Sequence, residues 1–256
     1  MSDIAASEDF VDRYLARIAW NEGAPRVLDR ATLERLARAH IATIPFENLR
    51  LHPDGVIVLD EDVIIRRILD DADGGLCYEL NAAFAHLLRR LGAEVEYIGA
   101  TVEIPDDVDP RPGYPLSHLA LRVRTETGVH HVDVGFGGLS IVRDVTADAE
   151  RVVAGDGRSY VVDATARPLS DFAAAAHWHS SSPDSRFQRS IVCSLVDDGI
   201  ASTLFAVRDA DGATRWGFAQ AGERRDLSAD EAARMLRERF GIRRALPRGV
   251  KAPASA

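Results

Sequence analysis

The period of the apolar residues changes close to residue 93, and this change limits the fold class of the chain. Before it, apolar side chains recur at helical spacing, first over residues 9–18 and then over 30–41. From Ala93 onward they alternate with polar side chains, which is the pattern of half-buried strands. Helical segments that precede the strands, instead of alternating with them, indicate an α+β fold.

Turn signals divide the second part of the chain into hairpins. Residues 117–124 and 129–136 predict a hairpin with a two-residue loop at Glu126-Thr127. The last third mixes strands with a helix that begins at Ser228, since Glu231 completes a Ser-x-x-Glu capping box. The other predicted elements are a loop at 44–49 whose Phe46 fills the core, a hairpin of 151–153 with 159–162 across Gly155-Asp156-Gly157, a helix at 169–178, and strands at 191–196, 201–208 and 214–219.

Composition and charge exclude several classes of function. The 256 residues are 46% hydrophobic, as is ordinary for a globular protein, and a net charge of −9 argues against a nucleic-acid partner. Neither a long apolar run nor a signal-peptide pattern occurs, so we expect no membrane partner and a cytoplasmic location. Two cysteines without zinc spacing predict neither a disulfide framework nor a metal site. One lysine beside thirty arginines indicates the codon bias of a GC-rich bacterial genome.

Cys77 follows a glycine pair, Gly74-Gly75, and stands where a helical run begins. Backbone amides at the N-terminus of a helix favour a thiolate over a thiol, so Cys77 is a candidate nucleophile. A lone cysteine is more often a small buried hydrophobe, and from Cys77 alone this alternative stays open. The apolar face of the following helix consists of Leu80, Phe84, Leu87, Leu88 and Leu91, and Gly92 is placed to end it.

The first hairpin predicts that a histidine and an aspartate share a face. With the loop at Glu126-Thr127, His118 lies opposite Gly135 and diagonal to Asp133, roughly 7–8 Å away at the backbone and within hydrogen-bonding reach. A three-residue loop would turn one of these side chains to the other face. The alternation over 132–136 puts the valines and Phe136 on the opposite face, so the face that carries Asp133 suits a site better than a core.

Cysteine, histidine and aspartate have separate tasks in acyl transfer. The thiolate attacks an acyl carbon, the imidazole holds and moves the proton, and the carboxylate fixes the tautomer of the imidazole. Cys77, His118 and Asp133 are the candidates, although His118 alone also fits a core histidine and Asp133 alone a turn cap. The other histidines are interpreted as surface or packing residues because no carboxylate matches their spacing; they include His86, His130, His131, His177 and His179.

The chain resembles the arylamine N-acetyltransferase family in six short blocks, which occur in the order of that family and cover most of the chain. The blocks around Cys77 and Asp133 are the most specific ones. The six blocks are YLARI at 14–18, IPFENL at 44–49, GGLCYELN at 74–81, SHLAL at 117–121, VDVGFG at 132–137 and SSSPDSRF at 180–187.

The resemblance implies a division into domains. A cysteine-protease-like helical domain would span residues 1–92 and carry the nucleophile. A central antiparallel β-barrel would span 93–168 and carry the histidine and the aspartate. A linking helix over 169–181 would join these parts to a C-terminal α/β lid over 182–256.

The resemblance also implies an activity. Members of the family move an acetyl group from coenzyme A, by way of an acyl-cysteine thioester, to the nitrogen of an arylamine or hydrazine. The expected substrates are therefore a small aromatic amine and an acyl thioester such as acetyl-CoA, in a ping-pong reaction with no metal and no bound cofactor. The implied triad is Cys77, His118 and Asp133, the same residues that the spacing predicts.

Contacts to the two substrates are implied by position in the family's blocks. The aromatic lining of the amine pocket would fall on Phe46 and Phe136, although a phenylalanine that alternates with valines is more typical of a core. An anionic donor needs local arginines or backbone amides because the overall charge is negative. The candidates for this contact are Gly137, Gly138 and Arg186.

Two departures from the family's pattern leave other functions open. Asp73 stands where the family usually has arginine, and residues 159–172 are shorter than the corresponding segment. The donor could then differ from acetyl-CoA, as in an amide synthase of the same family that acts on a carrier-bound polyketide chain. Alternatives of other classes are a thiol hydrolase or transglutaminase-like enzyme, which the block at 44–49 and the lid disfavour, and a silent binding module, which the complete triad disfavours.

Overall fold

The computed structural model describes residues 7–52, 55–103, 114–137, 140–145, 151–154 and 157–250. Within these ranges the chain forms seven α-helices and eleven β-strands, and the strands make two antiparallel sheets. The α+β class predicted from the change of period is confirmed. The first four helices, α1 to α4, are Phe10–Arg17, Arg30–Thr43, Glu61–Leu69 and Cys77–Arg90.

Helix α4 lies in the middle of the main core. Its side chains are buried from Cys77 through Ala85 and again at Leu87 and Leu88, because α3 packs against it on one side and a six-stranded sheet on the other. A helix that is covered on all sides needs apolar or small side chains, or polar ones whose hydrogen bonds are satisfied, and the buried Glu79 and Asn81 of α4 have such partners. Gly92 adopts a φ of +97° directly after the helix, which confirms its predicted place at the end.

The six-stranded sheet carries the predicted hairpin. Leu121 lies opposite Val132 and Thr125 opposite Gly128, so the two-residue loop and its register are confirmed. The order in the sheet is β5-β4-β3-β2-β7-β6. The strands β2 to β7 are Glu94–Glu103, His118–Thr125, Gly128–Asp133, Ile141–Asp144, Arg151–Val153 and Ser159–Arg167.

The sheet falls within the region predicted to form a central antiparallel β-barrel, and one of its faces packs on α4. Strands β5 and β6 form its two edges, and within the described residues they do not pair with each other. The β-barrel therefore stays a prediction. The division of the chain into the helical, barrel, linker and lid domains stays a prediction.

The second sheet is built mainly from the end of the chain. Its order is β1-β8-β9-β10-β11, and α7 packs against it. The three strands predicted after residue 190 and the Ser228 capping box are confirmed. Strand β11 was not predicted, because four of its five residues are exposed and carry no apolar alternation. These elements are α5 Ala173–Ser181, α6 Arg186–Arg189, β1 Phe46–Glu47, β8 Ser190–Asp197, β9 Ile200–Arg208, β10 Thr214–Gln220, β11 Glu223–Leu227 and α7 Ala229–Glu238.

Strand β1 corrects the prediction of a simple loop at 44–49. Phe46 lies opposite Ser194, which places a segment from the first fifth of the chain at the edge of the second sheet. The Asn48 side chain extends this connection: its Nδ2 donates to the carbonyl of Ser190 at 2.7 Å, and its Oδ1 accepts from the amide of Val192 at 2.7 Å. Two residues are too few to show a strand period, so the pattern held no sign of β1.

Candidate active site

The loop before Cys77 is shaped by the glycine pair. A Cβ atom on Gly74 would lie 1.9 Å from the carbonyl oxygen of Pro45, so no larger residue fits there. The Gly75 amide donates to this same oxygen at 3.2 Å, and the Gly75 carbonyl accepts from the Glu47 amide at 2.9 Å. The glycine block and the block at 44–49 are therefore two sides of one backbone contact.

The start of α4 is held by a buried acid. Glu79 Oε2 accepts from the amide of Leu76 at 3.0 Å, which is the last residue before the helix. Its Oε1 accepts from the guanidinium groups of Arg50 and Arg67, each at 2.6 Å. Cys77 is thus the first residue of a helix whose entry is fixed, and its side chain is only 4% exposed.

The structure brings the three candidate catalytic residues together. His118 Nε2 lies 2.6 Å from Asp133 Oδ2, and both side chains are buried. Cys77 lies close enough to His118 to contribute to the raised pKa of the imidazole. Gly135 makes this approach possible, because a Cβ atom on it would lie 2.7 Å from the Cα atom of Cys77.

Burial and charge act in opposite directions on the pKa of His118. Burial alone lowers it, but the negative charges of Asp133 and Cys77 and the hydrogen bonds to both raise it to about 10. For Asp133, burial raises the pKa, while His118, Asn81 and Gly135 lower it, and the net direction is downward. The pair therefore carries an imidazolium and a carboxylate at neutral pH, and an imidazolium beside a thiol favours the thiolate.

Asn81 and Tyr160 complete the hydrogen bonds of Asp133, and the sequence did not single out either residue. Oδ1 accepts from Asn81 Nδ2 and from the amide of Gly135, both at 2.8 Å. Oδ2 accepts from the hydroxyl of Tyr160 at 3.0 Å in addition to His118. Asn81 lies one helical turn after Cys77, and this spacing could have predicted that it lies beside the nucleophile. Tyr160 comes from β7, and nothing in the sequence of the His118–Asp133 hairpin indicates its contact.

His131 extends this network and corrects its interpretation as a mere packing residue. Its Nε2 lies 2.7 Å from the hydroxyl of Tyr160, and it donates there because that hydroxyl donates to Asp133. Burial lowers the pKa of His131 to about 4, so it is neutral. Two other histidines also have a carboxylate partner, contrary to the prediction. His86 lies 3.2 Å from Glu61, and His130 lies 3.0 Å from Asp144. Neither histidine is among the described residues that line the cleft next to Cys77.

A cleft of about 710 Å³ opens onto Cys77 and His118. Phe136 lies in its wall, with its ring edge-on to His118 at a centroid distance of 5.2 Å. Phe46 lies across from it, 6.0 Å from the ring of Phe187. Phe136 packs in a small buried cluster with Tyr160, whereas Val132 and Val134 belong to the main core, so the prediction that Phe136 shares the face of the valines is wrong. Its contact with an amine stays a prediction. Other residues of the wall include Val102, Tyr114, Ser117, Trp178, His179, Val192, Ser194, Ala201 and Thr203.

Arginines form one side of the cleft. Arg186 is in the wall as predicted, with its guanidinium 5.4 Å from the ring centre of Phe187. Arg158, which the sequence did not single out, lies 5.0 Å from the ring centre of Phe136 and donates to the carbonyls of Phe136 and Gly137. Gly137 lines the cleft with a φ of +64°, whereas Gly138 lies outside the described residues. Arg189 and Asp184 are in the same wall.

Cys193 occupies a different environment from Cys77. It lies in β8 opposite Glu47, is fully buried, and is not among the described residues that line the cleft. Burial, followed by the charges of Glu47 and Asp73, raises the pKa of its thiol well above the ordinary value.

Cys193 is expected to alkylate at least about tenfold more slowly than Cys77, because the thiolate is the reactive form and burial raises the pKa of the Cys193 thiol. Peptide mapping after brief treatment with iodoacetamide measures both rates. A Cys193→Ala variant serves as the control and should label at Cys77 at the wild-type rate. Equal labelling of the two cysteines would contradict the assignment of one reactive and one inert thiol.

The described residues lack two kinds of feature. They contain no group of three or more His, Cys, Asp or Glu side chains that could hold a metal ion. Their helices are all too short or too polar to cross a bilayer.

The fold and the site together define a class: an α+β protein in which a buried Cys–His–Asp set faces an aromatic cleft with arginines on one side. The family model described as N-acetyltransferase matches residues 29–160 and 149–247, which is most of the chain. The chain belongs to the arylamine N-acetyltransferase family.

Known members of the family show how far the similarity extends. The arylamine N-acetyltransferase of Mycolicibacterium smegmatis is 36% identical over 138 residues, which are 53% of this chain and 50% of that protein. The Escherichia coli K12 enzyme is 29% identical over 218 residues, 76% of each chain. The solved structure of the M. smegmatis enzyme matches with a TM-score of 0.76 at 26% identity and covers 91% of this chain and 92% of that one. The sequence match thus spans half the length of the first relative and three quarters of the second.

Proposed function

We propose that the protein is an acyltransferase that carries an acyl group on Cys77 and delivers it to the nitrogen of an arylamine or hydrazine. The observation that supports this most directly is the buried contact of His118 with Asp133, in a cleft whose wall contains both His118 and Cys77. Membership of the arylamine N-acetyltransferase family favours acetyl-CoA as the donor.

The first half of the reaction is acylation of the cysteine. The Cys77 thiolate attacks the carbonyl carbon of an acyl thioester, and a new C–S bond forms while the carbonyl oxygen takes the charge. The bond to the carrier sulfur then breaks, and the His118 imidazolium gives its proton to the departing thiolate. The products are acyl-Cys77 and the free carrier thiol.

The second half transfers the acyl group to the amine in a ping-pong sequence. The amine nitrogen attacks the thioester carbonyl of acyl-Cys77, and the now neutral His118 accepts its proton. The C–S bond to Cys77 breaks, which restores the thiolate and the imidazolium. Asp133 stays ionised throughout, since four donors hold its two oxygens, and it keeps Nε2 of His118 protonated so that Nδ1 faces the sulfur.

The walls of the cleft suggest where each substrate binds. Phe46 and Phe136 flank the reactive residues and offer ring faces and edges to a planar amine. Arg158 and Arg186 suit the phosphates of an anionic donor, because both are in the cleft wall and a guanidinium can donate two hydrogen bonds to phosphate oxygens. The Gly137 backbone borders the same side and is included in this assignment.

A second function, the amide synthase of the same family, is favoured by the size of the cleft. A volume of about 710 Å³ is far larger than an acetyl group and a single aromatic ring require. An acyl chain larger than acetyl could therefore occupy the same space. The chemistry at Cys77 is the same in both cases, and only the acyl donor differs.

Replacement of Arg186 by alanine is expected to lower kcat/KM for acetyl-CoA on the order of tenfold, because one charge-assisted contact to the donor is lost. The same variant should use p-nitrophenyl acetate at the wild-type rate, since this ester has no phosphates. Turnover with one arylamine measures both values, and the intact mass of the protein after each donor alone reports the acyl adduct on Cys77. Arg243→Ala, on an exposed residue of another segment, is the matched control.

Three results would contradict parts of this proposal. Absence of a Cys77 adduct with acetyl-CoA, with longer acyl thioesters and with the ester would exclude the acyl-enzyme. Release of the acyl group to water at an equal rate with and without amine would identify a thiol hydrolase. An equal loss with both donors in Arg186→Ala would show that Arg186 supports the site instead of the donor.

A further inference from the structure

An ion pair between a buried aspartate and a partly exposed arginine connects the loop before Cys77 with the C-terminal part of the chain, and the Arg244 side chain in it is 34% exposed. Asp73 is 2% exposed, and Arg244 binds it in a fork: Nη2 donates to Oδ2 at 2.5 Å and Nε donates to Oδ1 at 3.3 Å. The two residues are 171 positions apart. Two-point contacts of this kind fix direction as well as distance. Although Asp73 stands where the family usually has arginine, the loop therefore still has a charged partner.

The loop from Asp73 to Cys77 has little freedom to absorb a shift. The amide of Asp73 donates to the carbonyl of Arg67 at 3.0 Å, and Gly75 and Leu76 are held by the hydrogen bonds already described. Gly74 is in close contact with the Pro45 carbonyl. If the Asp73 carboxylate moved, the residues between it and Cys77 could not absorb the shift. The Cys77 sulfur would consequently move as well.

Arg244 is itself held firmly enough to act as an anchor. Phe240 and Ile242, just before it, are buried in the core that the second sheet forms with α7. Its position relative to Asp73 is thus set by the packing of another part of the molecule. Arg243, its neighbour, is exposed.

The surroundings make Asp73 depend on Arg244. Glu47 and Glu79 are also buried. The pKa of Glu47 is raised by burial and by the charges of Asp73 and Glu79, and it is lowered by the charge of Arg244. Arg17 is near enough to interact with Asp73 through its charge, but its guanidinium donates to backbone carbonyls. A buried carboxylate that loses its partner is strongly unfavourable, and it is relieved when the group moves towards water. Such a move would carry the Cys77 loop with it.

We propose that Arg244 is a positioning residue for Cys77, which acts through Asp73 and ties the geometry of the nucleophile to the C-terminal part of the chain. For turnover, this inference rests on the acyl transfer proposed above. For the geometry of the thiol, it stands independently, because alkylation of Cys77 requires neither donor nor amine.

The test is a double-mutant cycle with Arg244→Gln, Asp73→Asn and the double variant. Arg244→Gln leaves a buried charge unpaired and is expected to slow alkylation of Cys77 by iodoacetamide by at least about tenfold, since a displacement on the order of 1 Å has effects of this size or larger. The kcat for acyl transfer should fall in parallel, with KM for acetyl-CoA unchanged. The double variant, which has no unpaired charge, should recover to within about threefold of wild type. Arg243→Gln is the control and should match wild type.

The possible outcomes distinguish a positioning role of Arg244 from a purely structural one. An Arg244→Gln protein that melts at a lower temperature but alkylates at the wild-type rate would make the pair merely structural and overturn the proposal. An equal loss in Arg243→Gln, or a double variant no faster than Arg244→Gln, would do the same. If Arg244→Gln does not fold, Arg244→Lys takes its place, and an unchanged alkylation rate without the fork would count against the proposal. Altered alkylation in a protein that transfers no acyl group would sustain the positioning role and reject the proposed function.

Discussion

Replacement of Cys77 by serine is expected to abolish acyl transfer, by a factor on the order of 10⁶ if the loss matches that of a nucleophile removed from a serine-enzyme triad. A hydroxyl at the start of α4 cannot be ionised by His118 at neutral pH as a thiol can. The change removes no packing volume of consequence, and the helix entry is held by Glu79 and Leu76 instead of by the sulfur. The fold should therefore stay intact.

Turnover with acetyl-CoA and one arylamine measures this loss, and intact mass after p-nitrophenyl acetate tests for the missing adduct. Cys193→Ser is the matched control, since it makes the same chemical change in a cysteine outside the cleft wall. Circular dichroism and a thermal melt verify the fold of both variants. Activity of Cys77→Ser within tenfold of wild type would remove Cys77 from the mechanism.

Replacement of Asp133 by asparagine is expected to lower kcat by about 10⁴, the size of the same change in a serine-enzyme triad. The hydrogen bonds explain why the new amide turns the wrong way. Each carboxylate oxygen faces two donors, but Asn81 Nδ2 and the amide of Gly135 at Oδ1 can only donate. The Tyr160 hydroxyl and the His118 ring at Oδ2 can also accept, so the amide oxygen takes the position of Oδ1. The amide nitrogen then faces His118 Nε2 and forces that atom to accept. The imidazole proton moves to Nδ1, and the histidine can no longer take a proton on the side of Cys77.

The pH dependence distinguishes this effect from a loss of folding. The charge of Asp133 is one of the causes that raise the pKa of His118, and the asparagine removes it. A higher pH should therefore be required for Asp133→Asn to reach the same rate of Cys77 alkylation as wild type. Asp144→Asn is the matched control, because it alters another His–Asp contact, with His130, away from the cleft. A normal kcat in Asp133→Asn would make Asp133 a structural residue.

The local parts of the site could be predicted because they depend on short repeats. The helical period after residue 77 placed Cys77 at the start of α4, and the hairpin register placed His118 beside Asp133. Both results need only a period and a loop length, which adjacent residues determine. The family blocks then indicated Phe46 and Arg186, and both lie in the cleft wall.

The parts that could not be predicted depend on contacts between distant segments. Tyr160 reaches Asp133 only because β7 pairs with β2, on the far side of β2 from β3. Arg244 reaches Asp73 from beyond the last helix. Such contacts follow from the packing of whole layers, and no period or spacing within one segment records them. Whether the six-stranded sheet belongs to a barrel likewise depends on how its edge strands meet, and the barrel stays a prediction.

The attachment of Asn48 to the second sheet has a consequence for how the protein folds. Its side chain bonds to the carbonyl of Phe187 and the amide of Val192 over separations of 139 and 144 residues. Contacts that close such long loops lose much chain entropy before they gain energy, and they form late in folding. The backbone partner of the glycine loop, β1, is secured only when β8 is in place. We therefore expect the surroundings of Cys77 to be complete only after residues 190–197, which form β8, have been synthesised.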